Sequence, residues 1–187
     1  MRALWLLILV VAVPVGLAGQ PHQADPAGPG DPVEVFADLD GSWQGVFVGY
    51  DAAGRELYRI RVRQTYRTID RFRQVVEITD TMADGTVITG HGTNTARRVA
   101  GGGLRLRCVV EKSNGEKVEH DGRVVRGPDG DEQIIWYSSK PGRVETFRER
   151  VHRDGDEMVY EINGMGRYGE TLILMSGRYR KIANTNP

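Results

Sequence analysis

Apolar and charged residues alternate along most of the chain with a period of two. Tyr58, Ile60 and Val62 share one parity while Arg59, Arg61 and Arg63 share the other. Phe72, Val76 and Ile78 oppose Arg71, Arg73 and Glu77 in the same way, and Leu104, Leu106, Cys108 and Val110 oppose Arg105, Arg107 and Glu111. Successive side chains of a strand point to opposite faces, so each segment predicts a strand with one apolar and one charged face. Turn-forming clusters interrupt the pattern at Asp51–Gly54, Tyr66–Asp70, Asp80–Gly85, Ala100–Gly103, Ser113–Gly115, Gly127–Gly130, Ser139–Gly142, Asp154–Gly155 and Gly164–Gly169. These breaks predict about ten strands. Asn114-Gly115 predicts a type I′ turn, and Asp154-Gly155 a similar one. Connections this short join only antiparallel neighbours, since a parallel crossover needs a dozen residues or more.

A meander of this length with no helices to cover it hides its apolar face either by closing on itself or by folding into a sandwich, and simple sequential hairpins favour closure. The predicted fold is therefore all-β: an up-and-down antiparallel barrel of about ten strands over residues 39–182, with residues 183–187 a disordered tail. Val33, Phe36 and Leu39 have the spacing of a short helical turn able to plug one barrel end. One strand resists assignment. In Arg143–Arg153, Glu145, Phe147, Glu149 and Val151 share one face and Val144, Thr146, Arg148, Arg150 and His152 the other, so either orientation carries charge inward.

Ahead of the barrel, Met1-Arg2, the apolar run from Ala3 to Val13, Pro14 and the small residues Gly16-Leu17-Ala18 have the order of a cleavable signal peptide. The apolar run is shorter than the roughly 20 residues of a membrane-spanning helix. Residues 1–18 are thus expected to be removed, leaving an exported, soluble protein, periplasmic or secreted, without a stable membrane anchor. Residues 19–38, rich in Pro, Gly and Asp, read as a flexible linker and short helical lead-in.

Composition narrows the function classes. Twenty-five Lys and Arg balance twenty-five Asp and Glu, so no net field draws the chain to nucleic acid. The outward arginines Arg59, Arg61, Arg63, Arg71, Arg73, Arg105 and Arg107 form a basic stripe only if their strands are neighbours. The single cysteine, Cys108, excludes an internal disulfide and reads as a small core residue. His22, His91, His120 and His152 show no metal-ligand spacing, and no Ser lies in a nucleophile elbow, so no metal, cofactor or catalytic residue is assigned.

Gly41-Ser42-Trp43 at the first strand, followed by a meander and a late basic residue in Ser176-Gly177-Arg178-Tyr179-Arg180-Lys181, resembles the lipocalin-like (calycin) pattern. The resemblance is best to bacterial exported lipocalin-like domains without assigned function. It implies that Gly41 and Trp43 close one barrel end and that Arg178 or Arg180 packs over the Trp43 ring, an arrangement that gains cation–π attraction. The Trp43-Gln44-Gly45 stretch is more distantly similar to nitrobindin-like haem barrels. Their late histidine has no counterpart beyond His152, so haem ligation does not carry over. The reading that follows is a binding barrel for a small apolar or amphipathic molecule, with Tyr58, Phe72, Leu106, Ile134, Trp136 and Arg148 as candidate ligand contacts. Two rivals stand beside it: a structural or protein-interaction barrel with a filled interior, and an isomerase- or hydrolase-type enzyme using Glu145, Glu149 or His152.

Overall fold

A computed structural model describes residues 35–183, so the expected signal peptide (1–18), most of the expected linker and the expected tail (183–187, save Ala183) lie outside the described residues. Ten strands follow one short 3-10 turn at Ala37–Leu39: β1 (Gly41–Tyr50), β2 (Glu56–Asp70), β3 (Arg73–Thr81), β4 (Val87–Arg98), β5 (Leu104–Lys112), β6 (Lys117–Arg126), β7 (Glu132–Lys140), β8 (Arg143–Asp154), β9 (Glu157–Tyr168) and β10 (Thr171–Ile182). Each pairs antiparallel with its sequence neighbour, and β1 pairs with β10 from Ser42↔Ile182 to Tyr50↔Leu174, closing the barrel. Closure leaves no strand edge unpaired, which is how a sheet without covering helices satisfies its backbone groups.

The ladders carry one inward parity around the ring. Trp43 sits opposite Gln64, Val76 opposite Gly92, Cys108 opposite His120, Trp136 opposite Phe147, and Tyr160 opposite Tyr179. The alternation read from β2, β3 and β5 therefore does separate lumen from solvent. It also orients β8: Glu145, Phe147, Glu149 and Val151 face the lumen, because Phe147 and Glu149 register with the inward Trp136 and Ile134 of β7.

Several expectations need correction. The break placed at Tyr66–Asp70 is strand, since β2 runs on through inward Tyr66 and Thr68 to a bulge before the two-residue turn at Arg71-Phe72. The break at Gly164–Gly169 likewise shrinks to Gly169-Glu170, because β9 continues to Tyr168. Asn114-Gly115 is not a type I′ turn: no non-glycine residue among those described has positive φ, and Gly115 alone takes φ 84°. Gly115 N–H donates to the Lys112 carbonyl at 2.9 Å, and Lys112 N–H to Glu116 at 2.9 Å. This is a longer hairpin loop in which one glycine supplies the left-handed residue. Finally, the arginines make no continuous stripe, because β4 separates β3 from β5 and Arg105 and Arg107 pair with Asp121 and Glu119.

One barrel end is plugged. Phe36 and Leu39 of the lead-in turn are 1% and 4% exposed, as the spacing predicted, while Val33 lies outside the described residues. Asp40 fastens the plug: its Oδ1 accepts from the Thr68 N–H and hydroxyl, both at 2.8 Å, and from Gln74 Nε2 at 3.0 Å. Gln74 also donates to the Phe36 carbonyl and accepts from Asn94. A fully buried Gln74 is tolerable because these bonds use its amide.

Candidate functional site

Trp43 forms the floor above the plug. It is fully buried, its indole N–H donates to the Leu39 carbonyl at 2.7 Å, and its ring meets Tyr160 edge-on at 5.8 Å. The group over the indole is Lys181, whose Nζ lies 5.3 Å from the ring, and not Arg178 or Arg180. Both arginines have the outward parity of β10 and form ion pairs outside the barrel, Arg178 with Glu161 and Asp154, and Arg180 with Glu157. Lys181 shares the inward parity of Tyr179 and is the direct ladder partner of Trp43. Gly41 lies beneath Lys181 with φ 113°, so a side chain there would be strained and crowded.

Above this floor is a cavity of about 330 Å³. Its waist is apolar, with Phe47, Ile60, Ile78, Val110, Trp136 and Phe147 on the wall. Of the candidate contacts, Tyr58 and Trp136 line this cavity. Ile134 borders a second space of about 260 Å³, between the plug and β6–β8. Leu106 is fully buried and Phe72, in the β2–β3 turn, packs beside it in the lower core. Neither is on the cavity wall. Arg148 is on the exposed outer face of β8, bonded to Gln133, and reaches no lumen ligand. His152 shares that face, 3.9 Å from Glu161, which removes it from any lumen chemistry. Cys108 does border the cavity, and burial pushes its thiol up to about 12, so it is not a thiolate nucleophile.

The polar groups of the site come from strands whose sequences advertise no motif. At the mouth, Glu145 is 3% exposed; its Oε1 accepts from the Tyr168 hydroxyl and lies 3.0 Å from Arg143 Nη2, while its Oε2 accepts from Ser138 Oγ at 3.4 Å. His120 Nε2 is 3.3 Å from Glu145 Oε2, but its approach misses hydrogen-bond geometry and the nitrogen has no other partner among the described residues. Burial works against the Glu145 charge, yet His120, Tyr168 and Arg143 outweigh it and hold the carboxyl at about 2. Burial and that same carboxylate push the Tyr168 hydroxyl up. Arg143 reaches Glu116 at 3.1 Å, and Lys112 reaches Asp80 at 2.8 Å.

Deeper in the barrel stands Glu149, which borders both the central cavity and the space beside the plug. The Tyr160 hydroxyl donates to it at 2.9 Å. Here burial dominates and raises the carboxyl above its usual range, against opposing contributions from Trp136, Tyr160 and the charge of His120. Tyr160 in turn stacks on Tyr179 at 5.1 Å and meets Tyr66 edge-on at 6.1 Å, so the carboxyl sits in an aromatic surround. Glu145 and Glu149 were legible as paired carboxylates. Tyr168, Lys112 and Arg143 were missed, because only the barrel register brings β5, β8 and β9 to one mouth.

No protein-family model matches the chain, and a comparison with curated protein sequences also finds no match. Solved structures do resemble it. An S-type phycobiliprotein lyase, CPES, from Guillardia theta is 10% identical with a TM-score of 0.56, over 82% of this chain and 93% of that one. Rv2717c from M. tuberculosis is 14% identical with a TM-score of 0.54, over 82% of this chain and 98% of that one. At these identities the likeness is one of fold, and it places the chain with closed, ten-stranded antiparallel barrels that resemble the lipocalin-like group.

Proposed function

We propose that this protein is an exported binding barrel that holds one small apolar or amphipathic molecule in its lumen. The observation that carries the proposal is the cavity of about 330 Å³, walled by apolar and aromatic side chains and rimmed by a few polar groups. Ligand sites have this composition, and their volumes run from about 300 to 1,000 Å³. A barrel built only as scaffold would fill such a space with side chains, since interiors otherwise pack to crystal-like density. The catalytic rival is weaker. Glu145 is already engaged by Arg143 and Tyr168, and Glu149 belongs to no metal-ligand set among the described residues, while Cys108 near it is held as a neutral thiol.

Tryptophan fluorescence tests the proposal. Trp43 is sealed in the floor while Trp136 faces the cavity, so titration with retinoids or other apolar and amphipathic molecules perturbs the emission saturably. Trp136→Phe abolishes most of that change with the fold intact. A cooperatively folded protein with no saturable response across the panel would favour the filled, structural barrel. The export half of the proposal has its own test: protein recovered from a secreting host begins after Ala18, or a residue or two later, by intact mass.

A further inference from the structure

Four acids lie on the wall of the central cavity, Asp80, Glu116, Glu145 and Glu149, against two permanent cations, Lys112 and Arg143. Both cations are committed. Lys112 Nζ is 2.8 Å from Asp80 and 3.7 Å from Glu116, while Arg143 bridges Glu116 at 3.1 Å and Glu145 at 3.0 Å. The remaining basic side chain of the wall, His120, directs Nε2 toward Glu145. Three acids at the mouth thus share these groups, and Glu149, below them, has no ion-pair partner among the described residues. Among the described residues the neutral groups that serve it are the Tyr160 hydroxyl, which donates to it at 2.9 Å, and the Trp136 indole, which also favours its charge.

A carboxyl far below the surface with so few donors is costly in either form: ionised it lacks a counter-charge, and neutral it still leaves an acceptor poorly served. Yet it is not sealed off, since its side chain borders cavity space on two sides. Trp136, Phe147 and Tyr160 also line that cavity, and aromatic faces attract cations. An anionic headgroup would meet the opposite conditions. It would have to displace an acid from Lys112 or Arg143, or face Glu149 directly.

We propose that the lumen selects an organic cation or amine, seated with its charged nitrogen at Glu149 and its apolar body against the Trp136, Phe147 and Tyr160 rings. This rests on the binding-barrel reading and narrows it to a ligand class. The bound cation supplies the counter-charge that the fold withholds from Glu149. Desolvation inside the barrel strengthens that pairing relative to water.

The test uses three probes with one chain and different heads: decylamine as its ammonium ion, decanol and decanoate, titrated calorimetrically below their aggregation concentrations. Decylammonium is expected to bind tightest, by on the order of tenfold over decanol, with decanoate weakest. Glu149→Gln is expected to remove the advantage of decylammonium over decanol. Glu149→Met gives the same reading should the Gln variant fail to fold. Decanoate binding as tightly as decylammonium would overturn the cation assignment while leaving a binding barrel. A cation preference that survives both substitutions would overturn the role of Glu149. Failure of all three probes in a folded protein, together with a silent fluorescence panel, would remove the binding reading on which the inference stands.

Discussion

Trp43 shows how a single side chain joins plug to barrel. Its ring fills the floor and its N–H satisfies the Leu39 carbonyl, so Trp43→Ala loses both packing and a buried bond. A cost of about 3–5 kcal/mol is expected, read as a lowered denaturant midpoint. Lys181→Ala, which removes only the cation near the ring, should cost less, about 0.5–1 kcal/mol. Arg178→Ala breaks exposed pairs and should matter as little. Glu145 and Glu149 respond oppositely to pH. Glu145 is held at about 2, below its ordinary 4.5, so its contribution is present above about pH 4.5 and lost as pH falls toward 2. Because the cluster sits at the solvent-facing mouth, that contribution is discounted to on the order of 2 kcal/mol. Acid unfolding of Glu145→Gln should show a flatter pH dependence in that window. Glu149 is shifted upward by burial, so its ionisation costs stability as pH rises above the ordinary carboxylate range. Glu149→Gln should therefore raise the denaturation midpoint at neutral pH and change it less under acid conditions.

At the scale of the strand, the parity of an apolar face was readable wherever one face was purely apolar and the other charged, as in β2 and β5. It failed on β8, where both faces carry charge. The inward side of β8 was decided by the register with β7, a contact between strands that no single-strand pattern encodes. The same blindness explains Arg178 and Arg180. They match the expected late basic residues, but inward parity on β10 belongs to Met175, Tyr179 and Lys181. Two glycines show what neighbouring strands demand of each other. A Cβ at Gly45 would overlap the Arg178 carbonyl across the β1–β10 seam, and one at Gly122 would overlap the Trp136 ring. Gly122→Ala should push the indole into the cavity, costing about 1–3 kcal/mol and weakening any ligand binding sensed by Trp136. Paired denaturation and titration curves check both effects.

At the scale of the whole molecule, the seam between β1 and β10 makes every strand internal, and the two core clusters share Phe47, Cys108 and Ile162 as flanking residues. Loss of any strand opens the ring and exposes both neighbours. The barrel should unfold in one transition, with fluorescence of Trp43 and far-ultraviolet dichroism giving coincident curves. Sequence by itself determined the strand number, the meander and most of the lumen face, because these follow from period-two patterning and turn chemistry, which are local; it favoured closure over a sandwich, and the β1–β10 ladder decided it. It also marked Trp43 as an end residue. Tertiary structure alone decided that Lys181 covers Trp43, that Arg148 and His152 lie on the outer face, that His120 and Tyr168 meet Glu145, and that Glu149 stands deep without an ion-pair partner among the described residues. Those facts depend on the stagger of ten strands around a closed ring. A residue of register moves a side chain from lumen to solvent, and the energy that sets the register is summed over ladders far apart in sequence.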